Sequence, residues 1–185
     1  MKATRHLHLA APDRDTRLIR LVPLVAGWCA RLGGGHIDAD AAASDVLEVL
    51  VRRYDAYDPS RSLEGWAWGI TVRVVRDHRR AGWWRRWIPG ATVEPRASGS
   101  ASGPAEQAEL TALVQAILGS LSELHREVLV LHDLEERPAL EVAEILGIPE
   151  GTVRSRARLA RVAFKAEAER RGLSLTNILE EPSDG

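Results

Sequence analysis

Large apolar side chains recur along this chain at helical spacing. Val46, Leu47, Val49, Leu50 and Val51 crowd into a turn and a half, and Trp66, Ile70 and Val74 follow at i, i+4, i+8. The stretch between them, "YDPSRSLEG", has the Asp-Pro and Ser/Gly content of a loop. Further on, Leu121, Leu124, Val128 and Leu131 recur at i, i+3, i+7, i+10, with Ser122 placed to cap their helix. Alternating strand patterns are absent. The pattern predicts an all-α chain.

One segment breaks it. "IPGATVEPRASGSASGPAEQ", residues 88–107, is rich in Gly, Pro, Ser and Ala and nearly empty of large apolar side chains. It cannot bury enough surface to offset its ordering entropy, so it reads as a flexible linker. The expected organisation is two small helical domains, 1–87 and 108–173, joined by that linker and followed by a tail at 174–185. Both units are within reach of independent folding.

Composition narrows the chemistry. The 185 residues carry a formal net charge of −1, so any site for a polyanion rests on charge distribution and not on the total. A single cysteine, Cys29, excludes an internal disulfide and reads as a small buried apolar residue. The six histidines show no metal-ligand spacing. Neither an acid/base pair, a nucleophile triad nor a phosphate loop is present; Gly33, Gly34 and Gly35 read as an interhelical turn. No enzyme, cofactor or metal is expected. The N-terminus lacks a signal-peptide core, and 21–30, with Pro23 inside it, is far too short to span a bilayer. The expected location is cytoplasmic, without membrane insertion.

Two stretches carry function. In "PALEVAEILGIPEGTVRSRARLAR", 138–161, Val142, Ile145 and Leu146 form the inner face of a short helix and Gly147 supplies the sharp stop. Pro149 suits the first turn of the next helix. Ala143 leaves room for a second helix to approach steeply, while Ile148 and Val153 plug the gap. That is the spacing of a helix-turn-helix. From 150 to 171 there are seven basic residues against three acidic ones. Thr152, Arg154, Ser155 and Arg158 lie near the helix start, the part that meets base edges in a major groove, with Arg161 following.

The second stretch precedes the linker. Arg73, Arg76 and Arg80 follow one another at i, i+3, i+7, with Gly69 one turn ahead, a row suited to a phosphate backbone. "RDHRRAGWWRRW", 76–87, adds Trp83, Trp84 and Trp87, which either stack on unpaired bases or pack internally. An interfacial membrane helix shares this Trp/Arg composition. The helix-turn-helix on the same chain argues for nucleic acid instead.

"SLEGWAWGITVRVVRDHRR" followed, after the linker, by "LSELHREVLVLHDLEERPALEVAEILGIPEGTVRSR" resembles the extracytoplasmic-function sigma factors, the smallest sigma subunits of bacterial RNA polymerase. The resemblance runs from about Leu18 to Arg171. It implies core RNA polymerase and promoter DNA as partners, with an anti-sigma factor as a further candidate. It assigns −35 reading to the helix-turn-helix (Thr152, Arg154, Ser155, Arg158, Arg161). It assigns −10 capture and melting to Ser62, Trp66, Gly69, Arg73, Arg76 and Arg80, with "DPSRSLEG" as the loop that holds a flipped base. "AASDVLEVL" falls where the family docks on polymerase, pointing to Asp45, Glu48 and Leu50. Arg73 stands where relatives usually carry Asn, and Leu47 where they carry Gln. The rival reading is a stand-alone helix-turn-helix regulator, which would lack the arginine-striped tryptophan helix.

Overall fold

The computed structural model describes residues 13–86 and 105–173. They form seven α-helices and no strand: α1 (Arg14–Gly33), α2 (Ala39–Arg53), α3 (Leu63–Arg86), α4 (Ala105–Ser120), α5 (Glu123–Leu129), α6 (Ala139–Leu146) and α7 (Glu150–Arg170). A 3₁₀ turn, Tyr54–Ala56, ends α2, and a π-helical turn, Val130–Leu134, continues α5. Of the expected linker, 88–107, all but the last three residues lie outside the described set. Those three fall in the first turn of α4.

Local chemistry sets the helix ends. Asp13 accepts from Thr16 N at 2.8 Å and Asp38 from Ala41 N at 3.0 Å, each satisfying an otherwise orphaned donor. The bond from Thr16 holds the Asp13 carboxyl below the usual carboxylate range. Ser122 caps α5 as expected, accepting from His125 N at 3.3 Å. At the other ends, Gly34 (φ 60°) and Gly147 (φ 65°) take the left-handed conformation that stops α1 and α6.

α1, α2 and α3 pack as a three-helix unit. Its centre is the edge-to-face pair of Trp28 and Trp68, ring centroids 5.1 Å apart at 82°. Cys29 is fully buried beside it, and burial pushes its thiol up to about 12. The phase of α3 differs from the sequence expectation. Ala67, Trp68, Thr71 and Val75 form the buried face, whereas Trp66, Ile70 and Val74 flank it half-buried. Leu121 and Val128 are buried in the second unit, but Leu124, expected inside, is 53% exposed. Arg126 goes inside in its place.

The two units also lie against each other. α1 and the turn after α5 are in contact, as are α1 with α4 and α3 with α6. Buried residues of both units, from Leu18 to Ala157, make one continuous cluster. A smaller core of Leu118, Leu121, Leu129 and Ala160 belongs to the second unit alone.

Candidate nucleic-acid interface

The helix-turn-helix forms where the sequence places it. The Gly147 N–H bonds back to Ala143 O, and Ile148 N reaches the same carbonyl at 3.1 Å, closing the turn. Pro149 is the N-cap of α7, one position ahead of its expected place in the first turn. Val142, Val153 and Ala157 are buried between α6 and α7, with Ile145, Leu146 and Ile148 partly buried around them. This fixes the outer face of α7: Arg154, Ser155 and Arg158 are exposed and Thr152 half-exposed.

Not every cation on α7 belongs to that face. Arg161 makes a bidentate pair with Asp133, Nε and Nη2 to the two carboxylate oxygens at 2.9 Å each. Its side chain is 31% exposed and that of Asp133 only 16%. The π-helical turn aims Asp133 at α7, and in this structure Arg161 is paired there. Arg154 is held by Glu150, one turn earlier, at 2.7 Å. That pair is exposed and worth only about 0.3–0.5 kcal/mol.

On α3, Gly69, Arg73 and Arg80 share an exposed face. Arg76, expected in the same row, turns toward the second unit: Nε meets Glu123 at 3.1 Å and Nη2 meets Glu127 at 3.7 Å. Burial raises the Glu127 carboxyl, against the pull of Arg76. Ser62 caps the start of α3, accepting from Gly65 N at 3.1 Å. Just before it, Asp58 accepts from Ser60 N at 2.9 Å, which orders the turn and lowers its own carboxyl. Trp66 sits in an aromatic cluster with Tyr57 (5.2 Å) and Tyr54 (6.4 Å) beside this loop. The guanidiniums of Arg14 and Arg17 lie over those tyrosine rings at 5.3 and 5.5 Å. The side chains of Trp83 and Trp84, and all of Trp87, lie outside the described residues.

α2 carries the residues assigned to polymerase docking. Asp45 is exposed and meets His78 Nε2 at 2.8 Å, and Glu48 pairs with Arg52 at 2.9 Å on the surface. Leu50 corrects the expectation. It is fully buried in the core of the first unit, so it shapes α2 from inside and offers nothing to a partner.

Comparison with known proteins fits this geometry. Sigma-70 region 2 matches residues 18–85, and sigma-70 region 4 matches 111–164, in that order along the chain. The chain belongs to the extracytoplasmic-function sigma factors of the sigma-70 family. It is 32% identical over 136 residues to the RNA polymerase sigma-E factor of Streptomyces avermitilis, covering 71% of this chain and 73% of that protein. It is 26% identical over 154 residues to the ECF RNA polymerase sigma factor SigW of Bacillus subtilis, covering 75% and 80%. Among solved structures it resembles the sigma factor RpoE from Bartonella quintana, in complex with the anti-sigma factor NepR (TM-score 0.63, 22% identity, 84% of this chain and 96% of that one). It also resembles CnrH in complex with the cytosolic domain of CnrY (TM-score 0.60, 23% identity, 85% and 90%). As a sigma factor it directs RNA polymerase to promoters and supports melting at −10. Region 2 ahead of the helix-turn-helix separates it from a stand-alone regulator. Among the described residues no helix is long and apolar enough to cross a membrane, and no cluster of three acidic, His or Cys side chains is placed to hold a metal ion.

Sequence reasoning missed one group of residues entirely. Arg126 is 3% exposed, and its guanidinium donates to Leu118 O (2.7 Å), Leu121 O (2.6 Å), Gly119 O (3.2 Å) and, across the two units, Leu32 O (3.0 Å). Burial, reinforced by the nearby charge of Arg79, lowers its pKa to about 10. The only signal in the sequence is an arginine amid the apolar run "LSELHREVLVL".

Proposed function

We propose a division of labour among these residues. The 108–173 unit reads the −35 element through Arg154 and Arg158, with Thr152 and Ser155 filling the groove between them; Lys165, further along α7, adds charge alone. The 1–87 unit captures the −10 element, with Arg73 and Arg80 on phosphates and Gly69 allowing close backbone approach. Ser62 and Trp66 frame the pocket for an unstacked base, and Arg76 joins the row once released from Glu123 and Glu127. Asp45 and Glu48 on α2 dock on core polymerase. The residues from 88 up to the start of α4 link the units and 174–185 form a tail. The chain acts in the cytoplasm, where its polymerase is, carries no catalytic activity of its own, and takes an anti-sigma factor as regulator, as the Bartonella quintana RpoE neighbour does.

The observation that carries this reading is the common exposure of Arg154, Ser155 and Arg158 on α7 and of Gly69, Arg73 and Arg80 on α3. Run-off transcription of fragmented genomic DNA by the reconstituted holoenzyme would identify its promoters. On these, Arg154→Ala should relax preference at one −35 base at a cost of about 1–3 kcal/mol. Arg73→Ala and Arg80→Ala should reduce permanganate reactivity of −10 thymines. Unchanged promoter choice and thymine reactivity in all three variants would overturn the assignment.

A further inference from the structure

The outer face of α7 is not wholly polar. α7 packs on α4, α5 and α6, and Val153, Ala157 and Ala160 are its buried residues in the first three turns. At 3.6 residues per turn, these three fix what points the other way. Two rows of side chains lie along that outer face. Arg154 and Arg158 stand at i and i+4, both exposed. Beside them Thr152, Ser155 and Leu159 stand at i, i+3 and i+7. The second row is two hydroxyls and then a leucine.

That leucine is 45% exposed and belongs to neither of the two apolar clusters among the described residues. The fold does not call for it. Ile148 and Val153 already fill the helix-turn-helix, and Phe164 packs on the second unit's own core. A single exposed leucine is ordinary on a protein surface, so its position is what singles this one out. From Thr152 to Leu159 the row spans about 10 Å at 1.5 Å per residue, which fits the roughly 12 Å width of a major groove. Val162, 60% exposed, continues the same side of the helix beyond that span.

The major groove offers hydrogen-bonding base edges and one kind of apolar group, the C5 methyl of thymine. A leucine has no hydrogen bond to give. Set against the edges of guanine, cytosine or adenine, it leaves polar atoms without partners. Set against a thymine methyl, it takes apolar surface out of water on both sides of the contact.

We propose that Leu159 is a specificity-determining residue of the −35 contact, packing on the C5 methyl of a thymine next to the base pairs that Arg154 and Arg158 meet. This rests on the assignment of −35 reading to α7 made above. Burying one methyl group corresponds to roughly fourfold in affinity.

The test uses the full chain in reconstituted holoenzyme, on promoters found by run-off transcription. Each thymine of the −35 element, on either strand, is replaced singly by deoxyuridine, which pairs identically and lacks only the methyl. Affinity should fall roughly fourfold at one such position. There Leu159→Ala should bind thymine and uracil templates equally, close to the unsubstituted protein on uracil. Alanine is the better helix former and the side chain is solvent-facing, so this variant keeps its fold. Leu159→Met keeps an apolar side chain of like volume and should keep the discrimination, as should Val162→Ala.

Three results would each overturn the proposal: a Leu159→Ala protein that still distinguishes thymine from uracil, an equal loss on both templates, or no thymine whose methyl matters. The equal loss is what a leucine seated on polymerase would give. Base-pair changes in the −35 element separate this failure from that of the underlying assignment. If they stay costly while uracil is tolerated, only the role of Leu159 falls. If they too are without effect, −35 reading by α7 falls with it.

Discussion

Arg161→Ala distinguishes a brace from a DNA contact. The substitution deletes two charge-assisted hydrogen bonds of 2.9 Å and leaves the Asp133 carboxylate, 16% exposed, without its guanidinium. Hydrogen bonds to charged groups contribute about 1.5–3 kcal/mol net, and a partly exposed pair falls toward the lower end. Stranding a largely buried carboxylate adds desolvation cost, so a loss of about 2 kcal/mol is expected. For a chain of this length that lowers Tm by roughly 4–8 °C. Urea unfolding of Arg161→Ala, Asp133→Asn and the double variant forms a cycle. The double variant should lose less than the sum of the singles by about 1 kcal/mol or more, because removing both partners leaves no orphaned charge. Holoenzyme binding to promoter DNA at constant temperature, well below the transition, should change little. A variant with unaltered urea midpoint and a uniform loss of affinity on specific and random DNA would refute the brace and restore Arg161 to the phosphate contacts.

Two further outcomes follow from the backbone and the core. Gly147→Ala should cost about 1–2 kcal/mol in denaturation midpoint purely through its φ of 65°, since no atom lies within 4 Å of the added methyl; Gly147→Asn should recover part of it. Cys29 keeps its proton to about pH 12 in the fold but ionises from about 9 when unfolded. The unfolded state therefore binds fewer protons in that window, and stability should fall by about 1.4 kcal/mol per pH unit from this group, a slope that Cys29→Ala removes in urea titrations.

What the sequence made legible was what short-range chemistry decides. Gly147 stops a helix because only a residue without Cβ takes its φ cheaply, Ser122 caps because its hydroxyl reaches a donor three residues on, and both follow from neighbours in the chain. The helix-turn-helix was readable for this reason. The phase of α3 was not. Trp66, Ile70 and Val74 have the right spacing for a core face, but α3 meets α1 and α2 on one side, the Tyr54/Tyr57 cluster on another and α6 on a third. With apolar groups on several sides, periodicity alone does not say that Trp68 is the centre. Leu124 and Arg126 show a stronger failure. Hydrophobicity places leucine inside and arginine outside, yet the carbonyls at the ends of α1 and α4 need donors where α5 passes. One of those acceptors lies 94 residues away. Leu50 was misassigned for the complementary reason, since a docking helix also needs a face that it never shows.

The same pairing resolves the contrast between a DNA-binding protein and a net charge of −1. In this structure carboxylates sit on two of the arginines assigned to DNA: Glu150 on Arg154, and Glu123 with Glu127 on Arg76. On the assignment proposed above, binding DNA exchanges one anion for another on these side chains and does not gain a full ion pair. Each new phosphate contact still releases counterions from the duplex, with a salt slope of about 0.9 per phosphate, but the enthalpic return per arginine is small. On the assignments proposed above, two units that meet their elements at once bind tighter than either alone, the second contact becoming intramolecular.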